Sequence, residues 1–490
     1  MALDHPDRDV HGRSVRLNRR TVATASSLCV IAAALFCVSR GSATAANETA
    51  LDRYVAAPDP HFRYELLRAI SGDGYTGYVL RLTSQQWRSP AEVDRSVWQH
   101  WLLIVRPDRV ATETGLLVIS GGSNNRPPPN DLNPLLIRAA LASHSVVSEV
   151  RMVPNEPLVF ADDGRKRSED AIIAYSWLKF LTTGDDTWPL RLPMTKAVVR
   201  AMDAVSAFCR QLPGGGVAVD KFILAGASKR GWTAWTTAAV DRRVVAIVPA
   251  VIDLLNIVPS FEHQYRSYGF WSPAIAAFED AGIMRWRETP LFGELMRIVD
   301  PYSYRERLTM PKFIINSAGD QYFLPDSSQF YFAGLKGEKY LRYVPNTDHR
   351  LKGSDAFDSA LAFYEAVVSR TPRPRFSWRF RPDGVIEVDT GTQPEVVKLW
   401  WATNPNARDF RLQSIGPAYA STKLADQGGG RYVGFRPPPP RGWTAYFVEL
   451  TFPGPGPTPF KFTTGVRITP DTLPYGPPPK PALQPPSRSR

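Results

Sequence analysis

The run Phe222-Ile223-Leu224-Ala225-Gly226-Ala227-Ser228-Lys229-Arg230-Gly231-Trp232-Thr233 decides how the rest of the chain is read. Its opening is a short apolar run ending in glycine, as in a strand buried on both faces of a parallel sheet. Residues Trp232 to Val240 follow a helical pattern, which leaves Ser228 on the turn from strand to helix. Such a turn lifts the hydroxyl clear of the sheet, sets it near the positive end of a helix, and aims the Lys229 backbone N–H at a forming oxyanion. In the usual form a glycine stands two residues after the serine; here Arg230 holds that place and Gly231 follows. A glycine-bounded turn carrying a solvated serine is the plainer alternative.

A reactive hydroxyl needs a base, and the base needs an orienting carboxylate. Lys312 to Asn316 reads as a buried strand ending in Ser317-Ala318-Gly319-Asp320, and Tyr340 to Val344 as one ending in Pro345-Asn346-Thr347-Asp348-His349. Parallel strands would deliver both loops to the sheet edge that carries Ser228. Asp320 is the expected acid, with Asp326 on the same loop as the alternative and Asp348 as a third candidate. Of the seven histidines only His349 follows the acid in sequence. The second oxyanion donor is expected from Gly121 and Gly122, in the run Gly121-Gly122-Ser123-Asn124-Asn125 after the strand Leu116 to Ile119.

Working outward, Phe62 to Ile70 and Tyr75 to Leu82 flank Gly72-Asp73-Gly74 as a hairpin. Trp98 to Val105, Val146 to Val150 and Val244 to Pro249 add strands. Helical patterns at Ser168 to Leu181, Met194 to Arg210 and Asp355 to Ser369 separate or close them. This alternation predicts an α/β-hydrolase-like, mostly parallel sheet with helices on both faces, over residues 47–370. After the stiff Thr371-Pro372-Arg373-Pro374 linker, short alternating runs predict a small β-sandwich-like domain over 371–470, followed by a Pro-rich tail at 471–490 with no packed role.

The motifs Arg165-Lys166-Arg167-Ser168-Glu169-Asp170-Ala171, Gly226-Ala227-Ser228-Lys229-Arg230-Gly231-Trp232-Thr233, Gly319-Asp320-Gln321 and Tyr343-Val344-Pro345-Asn346-Thr347-Asp348-His349 together resemble the PhoPQ-activated pathogenicity-related family. The resemblance spans most of the chain and implies an exported α/β-hydrolase-like protein. It implies no substrate, and some relatives resemble secreted signalling proteins. Two readings therefore stay open: a serine hydrolase, esterase before peptidase, using Ser228, His349 and Asp320; and a non-catalytic binding or signalling protein on the same scaffold.

Between the expected sixth and seventh strands, Asn256 to Thr309 is the place for a cap (256–309), predicted to cover Ser228 and select the substrate. Trp271 within it, and Asn124, are candidate substrate contacts. Lys229 is expected to face the pocket, which points to an anionic substrate. Arg230 starts a helix, where a cation is disfavoured, so a carboxylate partner is expected: Asp253 or Asp203.

Composition bounds the rest. Hydrophobic residues make up 43% and charged residues 22%, as in a globular chain. The net charge of +12 is spread without a long basic run, and no nucleic-acid-binding signature occurs, so no nucleic-acid partner is expected. Residues 1–46 read as an export leader: Arg13, Arg16, Arg19 and Arg20 precede an apolar stretch from Ser27 to Val38, and Ala43-Thr44-Ala45 offers a cleavage site. That stretch is shorter than the ~20 residues of an ordinary span, so a periplasmic or secreted protein without a permanent membrane anchor is expected. Arg19-Arg20 raises a twin-arginine route. Cys29 and Cys37 lie in the leader, leaving Cys209 alone and no intramolecular disulfide. Asn47-Glu48-Thr49 is a formal sequon beside the cleavage site. No His-Glu-x-x-His, paired Cys-x-x-Cys or EF-hand loop occurs, and neither metal nor cofactor is expected. Asp162-Asp163 and Glu169-Asp170 read as a solvated acidic face.

Overall fold

Alternate residues of each central strand enter two separate cores, which shows how the sheet is covered. Leu117 and Ile119, Phe222 and Leu224, and Ile314 pack into one cluster; Leu116, Ile223, Phe313 and Ile315 pack into another. A strand's side chains alternate between faces, so continuous apolar runs mean burial on both. The first core takes in helices Asp170–Thr183, Arg191–Arg210 and Lys229–Val240; the second takes in Pro134–Ser143 and Ala356–Val368.

The computed structural model describes residues 48–480. The leader at 1–46 with Cys29, Cys37 and the Arg19-Arg20 pair, the sequon residue Asn47 and the end of the tail lie outside them. Cys209 is buried and free. Among the described residues no helix is long and apolar enough to cross a membrane.

The main sheet opens with antiparallel strands Arg63–Gly72, Tyr75–Gln86 and Val97–Pro107, the first two joined through the expected hairpin with Gly72 opposite Tyr75. Next come the parallel strands Val147–Val150, Thr114–Ile119, Lys221–Ala227, Val244–Ala250, Lys312–Ser317 and Lys339–Val344, in that spatial order. This is the α/β-hydrolase-like arrangement, and it brings the ends of the last five strands to one edge.

The β-rich C-terminal region continues this sheet. Lys339–Val344 pairs antiparallel with Phe460–Thr463, and Trp443–Phe452, Val396–Asn404 and Ala420–Lys423 follow. The pairing covers what would otherwise be an open sheet edge, and the Tyr340 and Phe462 rings stack 4.3 Å apart across it. A separate three-stranded sheet of Phe376–Phe380, Ile386–Thr390 and Arg431–Gly434 turns Ile386, Val388 and Tyr432 onto the same core as Val397, Leu399 and Val448. Residues 471–480 of the Pro-rich segment are mostly exposed but make local contacts: Pro478 is buried, its carbonyl accepts from Arg287 at 3.2 Å, and the Tyr475 N–H donates to Arg266 O at 3.1 Å.

Candidate active site

Ser228 stands between the strand Lys221–Ala227 and the helix Lys229–Val240 at φ 56°, ψ −130°, a left-handed conformation that a serine adopts only under constraint. The constraint is visible. The Ser228 N–H donates to Ala250 O at 2.8 Å, and the helix crosses the strand so closely that a Cβ on Gly226 would lie 2.7 Å from the Arg230 backbone. A Cβ on Gly231 would in turn lie 2.7 Å from Gly226 O. The close approach is thus made by Gly226 and Gly231, which explains how Arg230 is accommodated between serine and glycine.

Asp320 and His349 are brought together by adjacent strands, on which Ser317 pairs with Val344. The His349 Nδ1 lies 2.8 Å from one Asp320 oxygen and 3.1 Å from the other, with the acid side chain 2% exposed and the histidine 15%. The imidazole packs on Tyr322 at 4.4 Å between ring centres and on Phe323 at 6.0 Å. Tyr322 and Phe323 line a cavity of about 30 Å³ together with Ser228 and Lys229. Among the described residues neither the Ser228 hydroxyl nor His349 Nε2 makes a hydrogen bond, so both are available to a ligand.

Asp326, the alternative acid, is engaged elsewhere. Its Oδ2 accepts from Arg408 at 2.6 Å and lies 2.9 Å from His263 Nε2. Burial would raise the Asp326 carboxyl, but the Arg408 and His263 charges outweigh it and hold it well below the usual carboxylate range. Asp348 caps its own turn by accepting from the Arg350 N–H at 2.9 Å.

Lys229 is balanced before any substrate arrives: its side chain is 8% exposed, and its ammonium pairs with Glu169 and, at 3.0 Å, with Asp170. Arg230 also finds carboxylates, but on another loop from those expected. It donates to both Glu169 oxygens at 3.0 Å and to Glu156 at 3.2 Å, with Nε on Val153 O at 2.6 Å. Asp203 instead pairs with Arg200 and Arg243. Asp253 accepts from Tyr331 at 2.5 Å and Tyr343 at 2.6 Å, and burial pushes it up to about 8 despite those bonds. The Glu169-Asp170 pair is solvent-exposed on the Glu169 side, with 48% of that side chain accessible, and is also the anionic partner of Lys229 and Arg230 beside the serine. Asp162-Asp163 lies on the exposed surface, as expected, and pairs there with Lys179 and Arg167.

The expected oxyanion loop lies beside this cluster. Ile119 is paired with Gly226, and the Arg230 guanidinium passes so close to Gly121 that any side chain there would collide with it. Lys229 opens its helix, so its N–H has no partner within it. Asn124 turns away, donating to Pro157 O at 3.1 Å and Asn155 Oδ1 at 3.3 Å in a groove with Trp101 and Met152. Trp271 packs on Tyr265 and Phe261 and lines a neighbouring cavity; only Phe261 is common to both.

Three residues of the 256–309 segment line the Ser228 cavity. Phe261, Ile275 and Phe278 complete the Ser228 cavity opposite Ile173, Trp177, Trp232 and Ile252. One supporting residue had no signal in the local sequence. Arg191, buried in the middle of the first core, donates to Lys229 O and to Thr233 Oγ1, both at 2.7 Å, and lies 4.3 Å from the Trp232 ring. Burial lowers its pKa to about 9, and the nearby Arg230 charge adds to that.

Residues 51–411 match the family described as PhoPQ-activated pathogenicity-related protein. The chain belongs to that family. Within reach of this PhoPQ-related chain lies Autocrine proliferation repressor protein A of Dictyostelium discoideum, 38% identical over 457 residues, covering 87% of this chain and 92% of that protein. Among solved structures, acetyl xylan esterase 1 from Thermoanaerobacterium sp. JW/SL YS485 is similar with a TM-score of 0.45 and 14% identity, covering 65% of this chain and 92% of that one. The glucuronoyl esterase from Solibacter usitatus gives 0.39 and 14%, covering 65% and 90%.

Proposed function

We propose that the protein is a serine hydrolase that cleaves esters of short acyl groups. The observation that carries the reading is the pairing of a strained serine at a strand-to-helix turn with an Asp320–His349 dyad packed on the wall of the same cavity. Ser228 Oγ attacks the ester carbonyl as its proton passes to His349 Nε2, while Asp320 holds the ring through Nδ1. The Lys229 N–H and the Gly121-Gly122 loop receive the oxyanion. Collapse expels the alcohol, which takes the proton from His349. Water then attacks acyl-Ser228 with His349 as base, and the carboxylic acid leaves.

The substrate class follows from volume and charge. A cavity of about 30 Å³ walled by Ile173, Trp177, Ile252 and Phe278 suits an acetyl-sized group. Lys229 is already paired, which removes the reason for an anionic substrate. A panel of p-nitrophenyl acetate, butyrate and octanoate, run beside the Ser228→Ala variant, tests this. Acetate turnover lost in the variant supports the reading; equal turnover with and without Ser228 refutes it.

The second reading, a non-catalytic exported signalling protein, is favoured by the name of the 38% identical relative, a proliferation repressor. Wild-type protein that a fluorophosphonate fails to label at Ser228 would establish it over the first.

A further inference from the structure

The acid loop and the histidine loop are held by a segment from far down the chain. Asn346, three residues before His349, sits at φ 57° and makes a two-way clasp with the backbone of Tyr419. Its Nδ2 donates to Tyr419 O at 2.9 Å, and its Oδ1 accepts from the Tyr419 N–H at 2.8 Å. On the acid side, the Leu412 N–H donates to Gly319 O at 2.9 Å, directly before Asp320. At Gly319 the packing is too tight for any side chain: a Cβ there would lie 2.6 Å from Thr347 O and 3.0 Å from Leu412 N. The buried Arg408 extends the same segment to the cap, reaching Ser267 Oγ at 2.9 Å as well as Asp326.

We infer that residues 408–419 position the proposed catalytic pair, so that the C-terminal β-rich region is a working part of the active site. The inference rests on the Ser228–His349–Asp320 reading and adds to it what holds the last two in register. His349 and Asp320 stand on loops that share only one strand pair, Lys312–Ser317 with Lys339–Val344. Beyond Ser317 and Val344 the two strands diverge, joined directly by the Ala318 N–H to Val344 O at 3.0 Å, the His349 N–H to Gln321 Oε1 at 3.2 Å, side-chain bonds between Ser317 and Thr347, and the His349–Asp320 pair itself. There the bonds from Gly319 to Leu412 and from Asn346 to Tyr419 supplement these few direct links from outside. Asn346 and Leu412 touch neither serine nor cavity and are positioning residues.

Two variants of the full chain remove the clasp without reshaping the backbone. Asn346→Gly keeps the left-handed conformation and deletes both side-chain bonds. Leu412→Pro deletes one donor at the first position of the short helix Leu412–Ile415, where proline is tolerated, after Arg411 already in an extended conformation. Two readouts are taken: the low-field proton resonance of the His349–Asp320 hydrogen bond, identified by its loss in Asp320→Asn, and the pH profile of fluorophosphonate labelling of Ser228. The resonance should broaden or vanish in Asn346→Gly, labelling should slow by roughly 10- to 100-fold with a shifted profile, and the thermal midpoint should stay close to wild type. Asn346→Asp, which keeps the acceptor, should recover part of the rate. An unchanged resonance and profile in both variants would overturn the inference. If the wild type is never labelled, the hydrolase reading fails, and the resonance alone still decides whether the segment holds the pair.

Discussion

Glu169 and Ser228 share one backbone conformation, φ 56° and ψ −130°, each as the residue leading into a helix, and the Lys229 ammonium beside the serine pairs with the Glu169 carboxylate. Two strained helix starts thus converge behind the same cavity. The Glu169 N–H donates to Glu156 at 2.5 Å, and Arg230 bridges both glutamates. Strain of this kind persists only where surrounding contacts over-determine it, and here the charges do so.

The first prediction concerns that strain. Ser228→Gly should stabilise the fold by about 1 kcal/mol, because glycine adopts a positive φ freely, while abolishing fluorophosphonate labelling. Urea unfolding of the two proteins measures the first effect. A variant less stable than wild type would show that the Ser228 conformation carries no strain.

Asp320 and Asp326 should separate function from stability. Asp320→Asn is expected to lower turnover on the order of 10⁴-fold with little change in unfolding free energy. Asp326→Asn leaves Arg408 buried without its countercharge and should cost about 3–5 kcal/mol. Because the folded Asp326 carboxyl lies below its ordinary range, its contribution is present above the unfolded value and is lost as pH falls through the folded one. The acid side of the stability profile should therefore flatten in the variant.

Lys229→Met bears on substrate charge. With its ammonium already paired with Glu169 and Asp170, the variant should slow anionic and neutral esters in the same proportion. A selective loss on anionic esters, measured as a change in the kcat/KM ratio, would return the cation to substrate binding.

Asp253 supplies a pH dependence of opposite sign. Its folded value is raised by burial to about 8, so its contribution is full below the unfolded value near 4 and declines as pH rises toward 8. Asp253→Asn should make stability between pH 4 and 8 fall less steeply, read from urea midpoints across that range. An identical slope would show that the carboxyl does not titrate as its burial implies.

Much of this was legible in the chain itself. The continuous apolar runs at Phe222 to Ala225 and Lys312 to Asn316 determined buried parallel strands, because period-two alternation disappears when both faces are covered. The order of Ser228, Asp320 and His349 along successive strands determined that they would share one sheet edge, since parallel strands end together. What stayed hidden were relations between distant positions. Nothing near Arg408, Leu412 or Tyr419 announces that they close on Asp326, Gly319 and Asn346, because those bonds join positions far apart in the sequence that only the fold brings together. The partners of Lys229 and Arg230 were likewise set by the fold: a helix start repels a cation, which requires a carboxylate nearby, but only the packing of the helix Asp170–Thr183 against the serine turn decided that it would be Glu169.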